Sequence, residues 1–272
     1  MKTNPLQQLE ECGQSIWLDY IKRDLFANNK LKKLISDDSL RGMTSNPSIF
    51  EKAIDEGQDY DQDIMRMAAK GKTVDEIYEA LTQKDVQDAA DVFRPIYDET
   101  NGEDGYVSLE VNPHLAKDTE GTIAEARRLW KALDRPNVLI KVPATKEGLP
   151  AIQQLISEGI NVNVTLLFGI ARYREVAQAY IAGIEARIAS GKPVQQIASV
   201  ASLFLSRIDV LLDPVLKKQK EVPLQGQMAI ASAKMAYQIF IEIFLSSRFK
   251  KLAEHGANVQ RLLWASTSCI FH

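Results

Sequence analysis

A chain of 272 residues that is 45% hydrophobic and 25% charged has the composition of a globular protein with ample material for a core, as one large domain or two small ones. A formal net charge of −3 gives no global reason to expect nucleic acid or an anionic membrane as partner, so a phosphorylated ligand would need local basic residues. The two cysteines, Cys12 and Cys269, lack the spacing of a metal site or disulfide framework, the N-terminus lacks the apolar core of a signal peptide, and no run approaches the roughly 18 apolar residues of a membrane helix, so the expectation is a reducing, cytoplasmic setting.

In chain order, residues 15–19 (SIWLD) are a short apolar run ending in a carboxylate and are read as a strand ending at Asp19, followed by a mixed-charge helix over 21–35. Residues 41–50 (RGMTSNPSIF) pass from a short run into a turn where Ser45 or Asn46 can cap a helix starting at Pro47. Helical periodicity then runs from 59 to 98, with Thr73 and Glu76 spaced as a capping box and a separate helix over 86–97. Residues 106–111 (YVSLEV) form a strand interrupted by Glu110, and 121–133 form an amphipathic helix.

Residues 137–145 (NVLIKVPAT) hold the feature that most needs explaining, a lysine inside an apolar strand. An ammonium there must be paired, reach water at the strand end, or lose its proton. The last option makes Lys141 an amine nucleophile able to form a Schiff base, whose iminium is an electron sink for breaking an adjacent carbon–carbon bond. The alternative is a structural ion pair with Glu110.

The remaining chain alternates helix 149–158, closed by Gly159 in a left-handed cap, strand 160–168 (INVNVTLLF), helix 170–190, a strand within 197–212 (SVASLFLSRI), helices over 228–245 and up to His255, and a strand over 261–266. Strands alternating with helices call for parallel pairing with right-handed crossovers. No Gly-rich phosphate loop supports a nucleotide-binding sheet. Polar residues recur in or at the strand ends instead: Asp19, Asn46, Glu110, Lys141, Asn163 with Thr165, Ser202 with Arg207, and Ser266. A (β/α)8 barrel would gather them at one mouth, and it is the expected fold, as a single domain over 1–272.

Most of these residues also have an ordinary role open to them. Asp19 and Glu110 could be solvated loop carboxylates. Arg207 must lie at or beyond its strand end to share a mouth with Ser202, and otherwise pairs with Asp209 or Asp213. His114, His255 and His272 lack metal-ligand spacing, Tyr237, Phe240 and Phe244 read as core packing, and residues 217–221 read as a solvated loop.

The motifs GMTSNPSIFEKAI, VSLEVNPHLAKDTEGTIAEARRLW, NVLIKVPAT, GINVNVTLLF, SVASLFLSRID and QRLLWASTS resemble the transaldolase family, especially its longer bacterial type that some organisms fuse to glucose-6-phosphate isomerase. That resemblance implies a (β/α)8 TIM barrel of the class I aldolase type that moves a dihydroxyacetone unit from sedoheptulose 7-phosphate or fructose 6-phosphate to an aldose phosphate. It implies no metal or organic cofactor, no nucleic acid or membrane partner, and is compatible with a homodimer. By match of motif, Lys141 is the Schiff-base lysine, Glu110 works through a water as general acid or base, Asp19 handles the proton of the breaking bond, and Thr165 positions the water. Asn46 and Asn163 match residues that hold the dihydroxyacetone unit, Ser202 and Arg207 match phosphate contacts, and Ser266 lies near the phosphate.

The departure from the family is at the C-terminus, where Thr267-Ser268-Cys269-Ile270-Phe271-His272 replaces the family's usual continuation. The basic phosphate ligand expected near position 270 is isoleucine, and the eighth strand and last helices are expected to be missing. Exposing several hundred Å² of apolar interior at about 25 cal/mol per Å² is comparable with a domain's stability. The expectation is a marginally stable chain of reduced activity, with an inactive, association-dependent interaction fragment as the alternative; another Schiff-base aldolase using acetaldehyde or pyruvate donors is disfavoured by the paired Asn46 and Asn163.

Overall fold

A computed structural model describes residues 4–267, so Cys269, Ile270 and His272, on which the C-terminal expectations rest, lie outside the described residues. Seven strands are found among them, in a parallel α/β arrangement whose order in the sheet is the order in the chain. Helical crossovers between sequential parallel neighbours are the (β/α) barrel pattern, with seven strands of the eight that pattern contains.

The chain resolves into two compact units, Met1–Glu110 with Arg128–Ile140, and Val111–Arg127 with Lys141–His272. The first begins with α1 (Pro5–Glu11), β1 (Ile16–Asp19), α2 (Asp24–Ala27), α3 (Lys30–Asp37), β2 (Leu40–Thr44) and α4 (Pro47–Asp55). The helix expected over 21–35 is two helices instead, because the chain turns through Asn29 at φ 52 and asparagine tolerates the left-handed region that would break a helix elsewhere. α5 (Asp61–Ala68) and α6 (Val74–Glu99) come next. The capping box of Thr73 and Glu76 opens α6. The separate helix over 86–97 merges into this single 26-residue helix, which runs past Val86 without a breaker and carries Pro95 near its end. β3 (Tyr106–Glu110) pairs with β2, and α7 (Thr119–Leu133) leads to β4 (Val138–Pro143). Asn137 fixes the entry to β4: its carboxamide donates to the Ala90 and Gly105 carbonyls at 2.8 and 2.9 Å, and its own carbonyl accepts from Val107 at 3.0 Å.

The second unit continues with α8 (Gly148–Glu158), β5 (Val162–Leu167), α9 (Ile170–Ala189), β6 (Ser199–Phe204), α10 (Ser206–Lys218), α11 (Met228–Phe244), α12 (Ser247–Ala253) and β7 (Arg261–Ala265). Gly159 caps α8 at φ 97, as expected. α8 and α9 approach closely at Gly183, where a Cβ would stand 2.7 Å from the Gln153 carbonyl. The strand expected to include Ser206-Arg207-Ile208 ends at Phe204, and those residues open α10. The expected loop over 217–221 is helical at Lys217 and Lys218. Of the expected aromatic core on α11, Phe244 is buried, whereas Tyr237 is 49% exposed and stacks flat on Phe240. Among the described residues no single helix is long and apolar enough to cross a membrane.

Candidate active site

β4 carries Lys141 as the one charged residue in VLIKVP, a strand whose six residues are all buried; Lys141 itself is 5% exposed. Strands flanked on both faces read as continuous apolar runs, so a lysine at such a position stands out chemically. Its carbonyl accepts the Val111 N–H at 3.2 Å, and Ala144, three residues on, donates to the Thr165 carbonyl at 2.8 Å. These bonds register Lys141 against the neighbouring strand segments of its own unit.

β5 presents Asn163 and Thr165, both buried, from one side of the strand, as their spacing requires. Asn163 Oδ1 accepts a hydrogen bond from Ser202 Oγ of β6 at 2.7 Å, so two of the sequence-predicted residues are in direct contact. The strand then departs from regularity. Leu166 takes a left-handed backbone at φ 55 and points outward, 49% exposed, with a register irregularity against β6. A bulky residue in that region stores strain of the kind found at binding sites.

Arg207 stands in the first turn of α10, beyond the end of β6, as it had to if it was to share a site with Ser202. It is exposed and makes no ion pair among the described residues. The pairing with Asp209 or Asp213 fails for a physical reason, since those carboxylates accept the backbone N–H groups of Ala229 and Gly226, at 2.9 and 3.0 Å. Ser266 lies just past β7 at φ 53, its hydroxyl 2.6 Å from that of Ser206 and its carbonyl accepting the Ser206 N–H at 2.9 Å. The start of a helix with a free guanidinium and two hydroxyls suits an anion. Ser206 was not anticipated, because the strand was read past it.

In the first unit, Asp19 is the exposed last residue of β1, opposite Thr44 in the register with β2. Trp17 lies two positions earlier on the same face, over Gly42, where a Cβ would sit 2.4 Å from its ring. Of the two capping candidates before Pro47, the structure uses Asn46: its Oδ1 accepts the Ile49 N–H at 3.0 Å, while Ser45 donates to the Ser108 carbonyl at 2.8 Å. The cap uses one lone pair of the Asn46 oxygen and orients the carboxamide, whose N–H pair can donate to a ligand. Glu110 ends β3, half-buried after four buried residues. Tyr78 of α6 senses it: burial first, then the charges of Glu110 and Glu51, push its phenol above the ordinary value. No sequence signal marked Tyr78, which lies in an ordinary amphipathic pattern.

His114 and His255 are exposed, and among the described residues no three His, Cys, Asp or Glu side chains group as metal ligands would.

The family model for Transaldolase/Fructose-6-phosphate aldolase matches residues 16–268. The chain is 52% identical over 279 residues to a transaldolase of Trichodesmium erythraeum, covering 98% of this chain and 73% of that protein. It is 50% identical to a transaldolase of Saccharopolyspora erythraea over 98% of this chain and 73% of the relative, and 49% identical to one of Thermobifida fusca over 97% and 73%.

Proposed function

The chain belongs to the transaldolase/fructose-6-phosphate aldolase family, and on that premise we propose that it transfers a dihydroxyacetone unit from a ketose phosphate, sedoheptulose 7-phosphate or fructose 6-phosphate, to an aldose phosphate through a Schiff base on Lys141. The observation that carries this reading is the burial of Lys141 in a strand that is otherwise wholly apolar. A solvated lysine would gain nothing from that position, whereas an iminium-forming amine gains exclusion of bulk water.

In this reading the Lys141 amine adds to the C2 carbonyl of the ketose, and loss of water leaves an iminium. Glu110, through a water held by Thr165, moves the protons that carbinolamine formation and dehydration require. Asp19 then accepts the C4 hydroxyl proton. The C3–C4 bond breaks, its electron pair passing into the iminium to give the enamine of dihydroxyacetone, and the aldose phosphate leaves as an aldehyde. Attack of the enamine carbon on the acceptor aldehyde reverses these steps, Asp19 returning its proton to the new alkoxide. Hydrolysis of the iminium frees the product.

Asn46 and Asn163 hold the hydroxyls of the three-carbon unit, with the carboxamide of Asn46 oriented by its cap on α4. Ser202, Arg207 and Ser266 bind the phosphate, a role supported by the unpaired guanidinium at the start of α10. A cytoplasmic location and a homodimer belong to the same proposal.

Borohydride reduction in the presence of fructose 6-phosphate, with peptide mass mapping of the product, tests the reading. The expected result is a dihydroxyacetone-derived adduct on the peptide containing Lys141 and none in Lys141→Ala. The same adduct in Lys141→Ala, or no adduct in the parent chain, overturns it.

A further inference from the structure

Among the described residues β1 is the end strand of the sheet, four residues long, paired with β2 and irregular in register between Ile16 and Trp17. Asp19 is the last residue of this strand. The segment beyond it is firmly held. Ile21 is fully buried, and Arg23, four positions after Asp19, enters a polar cluster built around the buried Tyr60 and Asp85. Its Nε and Nη2 both donate to Asp85 Oδ1 at 3.1 Å, and its Nη1 donates to Asp63 Oδ2 at 2.7 Å and to the Asp59 carbonyl at 3.2 Å. The guanidinium lies 4.3 Å from the centre of the Tyr60 ring.

The Tyr60 hydroxyl is the joint of this cluster. It donates to Asp85 Oδ2 at 2.6 Å and accepts the backbone N–H of Arg23 at 3.2 Å, which ties the main chain after β1 to the interior of α6. Tyr60 and Asp85 are both 0% exposed, and Tyr60 also packs with Ala53 and Leu81, so neither partner can drift. Burying a carboxylate and a guanidinium costs desolvation that their attraction barely repays, so such a cluster is a poor means of adding stability and a good means of fixing one geometry.

We propose that Arg23, Tyr60 and Asp85 are positioning residues that hold the segment after β1, and with it the Asp19 carboxylate, where it can take the proton of the breaking C3–C4 bond. This rests on the role of Asp19 proposed above. The cluster touches no reacting atom in this account. It acts through the backbone between Asp19 and Arg23.

Tyr60→Phe removes the joint while keeping the ring. The readouts are steady-state kinetics with fructose 6-phosphate and early-quenched borohydride trapping, which separates the uncleaved six-carbon adduct on Lys141 from the cleaved three-carbon one. The expected result is kcat lower by about tenfold with KM within about twofold, because misplacing a proton acceptor slows cleavage without preventing iminium formation. The six-carbon adduct then accumulates, as it does in Asp19→Asn. Arg23→Lys, which keeps the charge but loses the two-pronged donation, is the second variant should Tyr60→Phe fold poorly, and the same adduct ratio is expected. A lower melting temperature with an unchanged adduct ratio and kcat overturns the proposal and leaves the cluster a structural one. Normal cleavage by Asp19→Asn instead overturns the role of Asp19 itself, so the two failures are told apart.

Discussion

The Ser202 hydroxyl donates to Asn163 Oδ1 at 2.7 Å between neighbouring strands, with both side chains buried. The bond fixes which way the Asn163 carboxamide faces. Ser202→Ala leaves a buried carbonyl oxygen without this donor, which costs about 1–3 kcal/mol of stability. It also releases the carboxamide, so KM for the sugar phosphate rises. Urea melts of Ser202→Ala, Asn163→Ala and the double variant are expected to be non-additive by about 1 kcal/mol. Additive costs would show that the two side chains act independently.

Gly42 leaves room for the Trp17 indole, since a Cβ at position 42 would stand 2.4 Å from the ring. Gly42→Ala therefore pushes Trp17 off its seat and costs about 1–3 kcal/mol, the usual range for overpacking. Trp17 and Asp19 share a face of β1, so turnover falls as well. Adding Trp17→Leu to Gly42→Ala is expected to recover part of the lost melting temperature, and no recovery would mean that the glycine matters for backbone reasons alone.

Leu166 holds a left-handed backbone at φ 55 with its side chain 49% exposed. Leu166→Gly removes the steric cost of that conformation and little packing, so the variant should be no less stable than the parent despite the entropy that glycine adds to the unfolded chain. Leu166→Ile, β-branched at the same φ, should lose about 1–3 kcal/mol. Thermal melts of the pair decide it, and equal melting temperatures would contradict the strain.

Stability should fall on acidification. Hydrogen bonds from Arg127 hold Glu158, those from Arg248 hold Glu185, and those from Arg135 hold Asp91 below the ordinary values of 4.5 for Glu and 3.8 for Asp. A carboxylate depressed in the folded state contributes stability that is complete above its ordinary value and disappears as pH drops through the folded one. Asp85 runs the other way, because burial raises it above 3.8 and its contribution is lost as pH rises through the folded value. Glu10, Glu76 and Glu242 are depressed as well, so six depressed carboxylates against one raised give a net loss of melting temperature from about pH 5 to about pH 3. These pairs are partly exposed, so the slope should be shallow, should flatten in salt, and should lessen in Glu158→Gln.

Most of the strands were legible because an apolar run ends at breakers, and Lys141 was legible because one charge interrupts one of those runs. Asn46 was legible as a cap candidate through the Asn-Pro step. Ser206 was hidden because SLFLSRI reads as one continuous strand, whereas the folded chain ends β6 at Phe204 and opens α10 at Ser206. Tyr237 was misplaced in the core because helical spacing identifies a stripe but not how far along the helix the stripe stays covered.

The sequence by itself determined the α/β class and the family, since these arise from local periodicity and from motifs that stay recognisable wherever the chain goes. Tertiary structure alone decided that Ser202 meets Asn163, that Asp209 and Asp213 cap backbone groups instead of pairing with Arg207, and that Arg23, Tyr60 and Asp85 meet in one buried cluster. Hydrogen bonds between residues 13 to 62 positions apart depend on where separate helices and strands come to lie, and no local pattern encodes that.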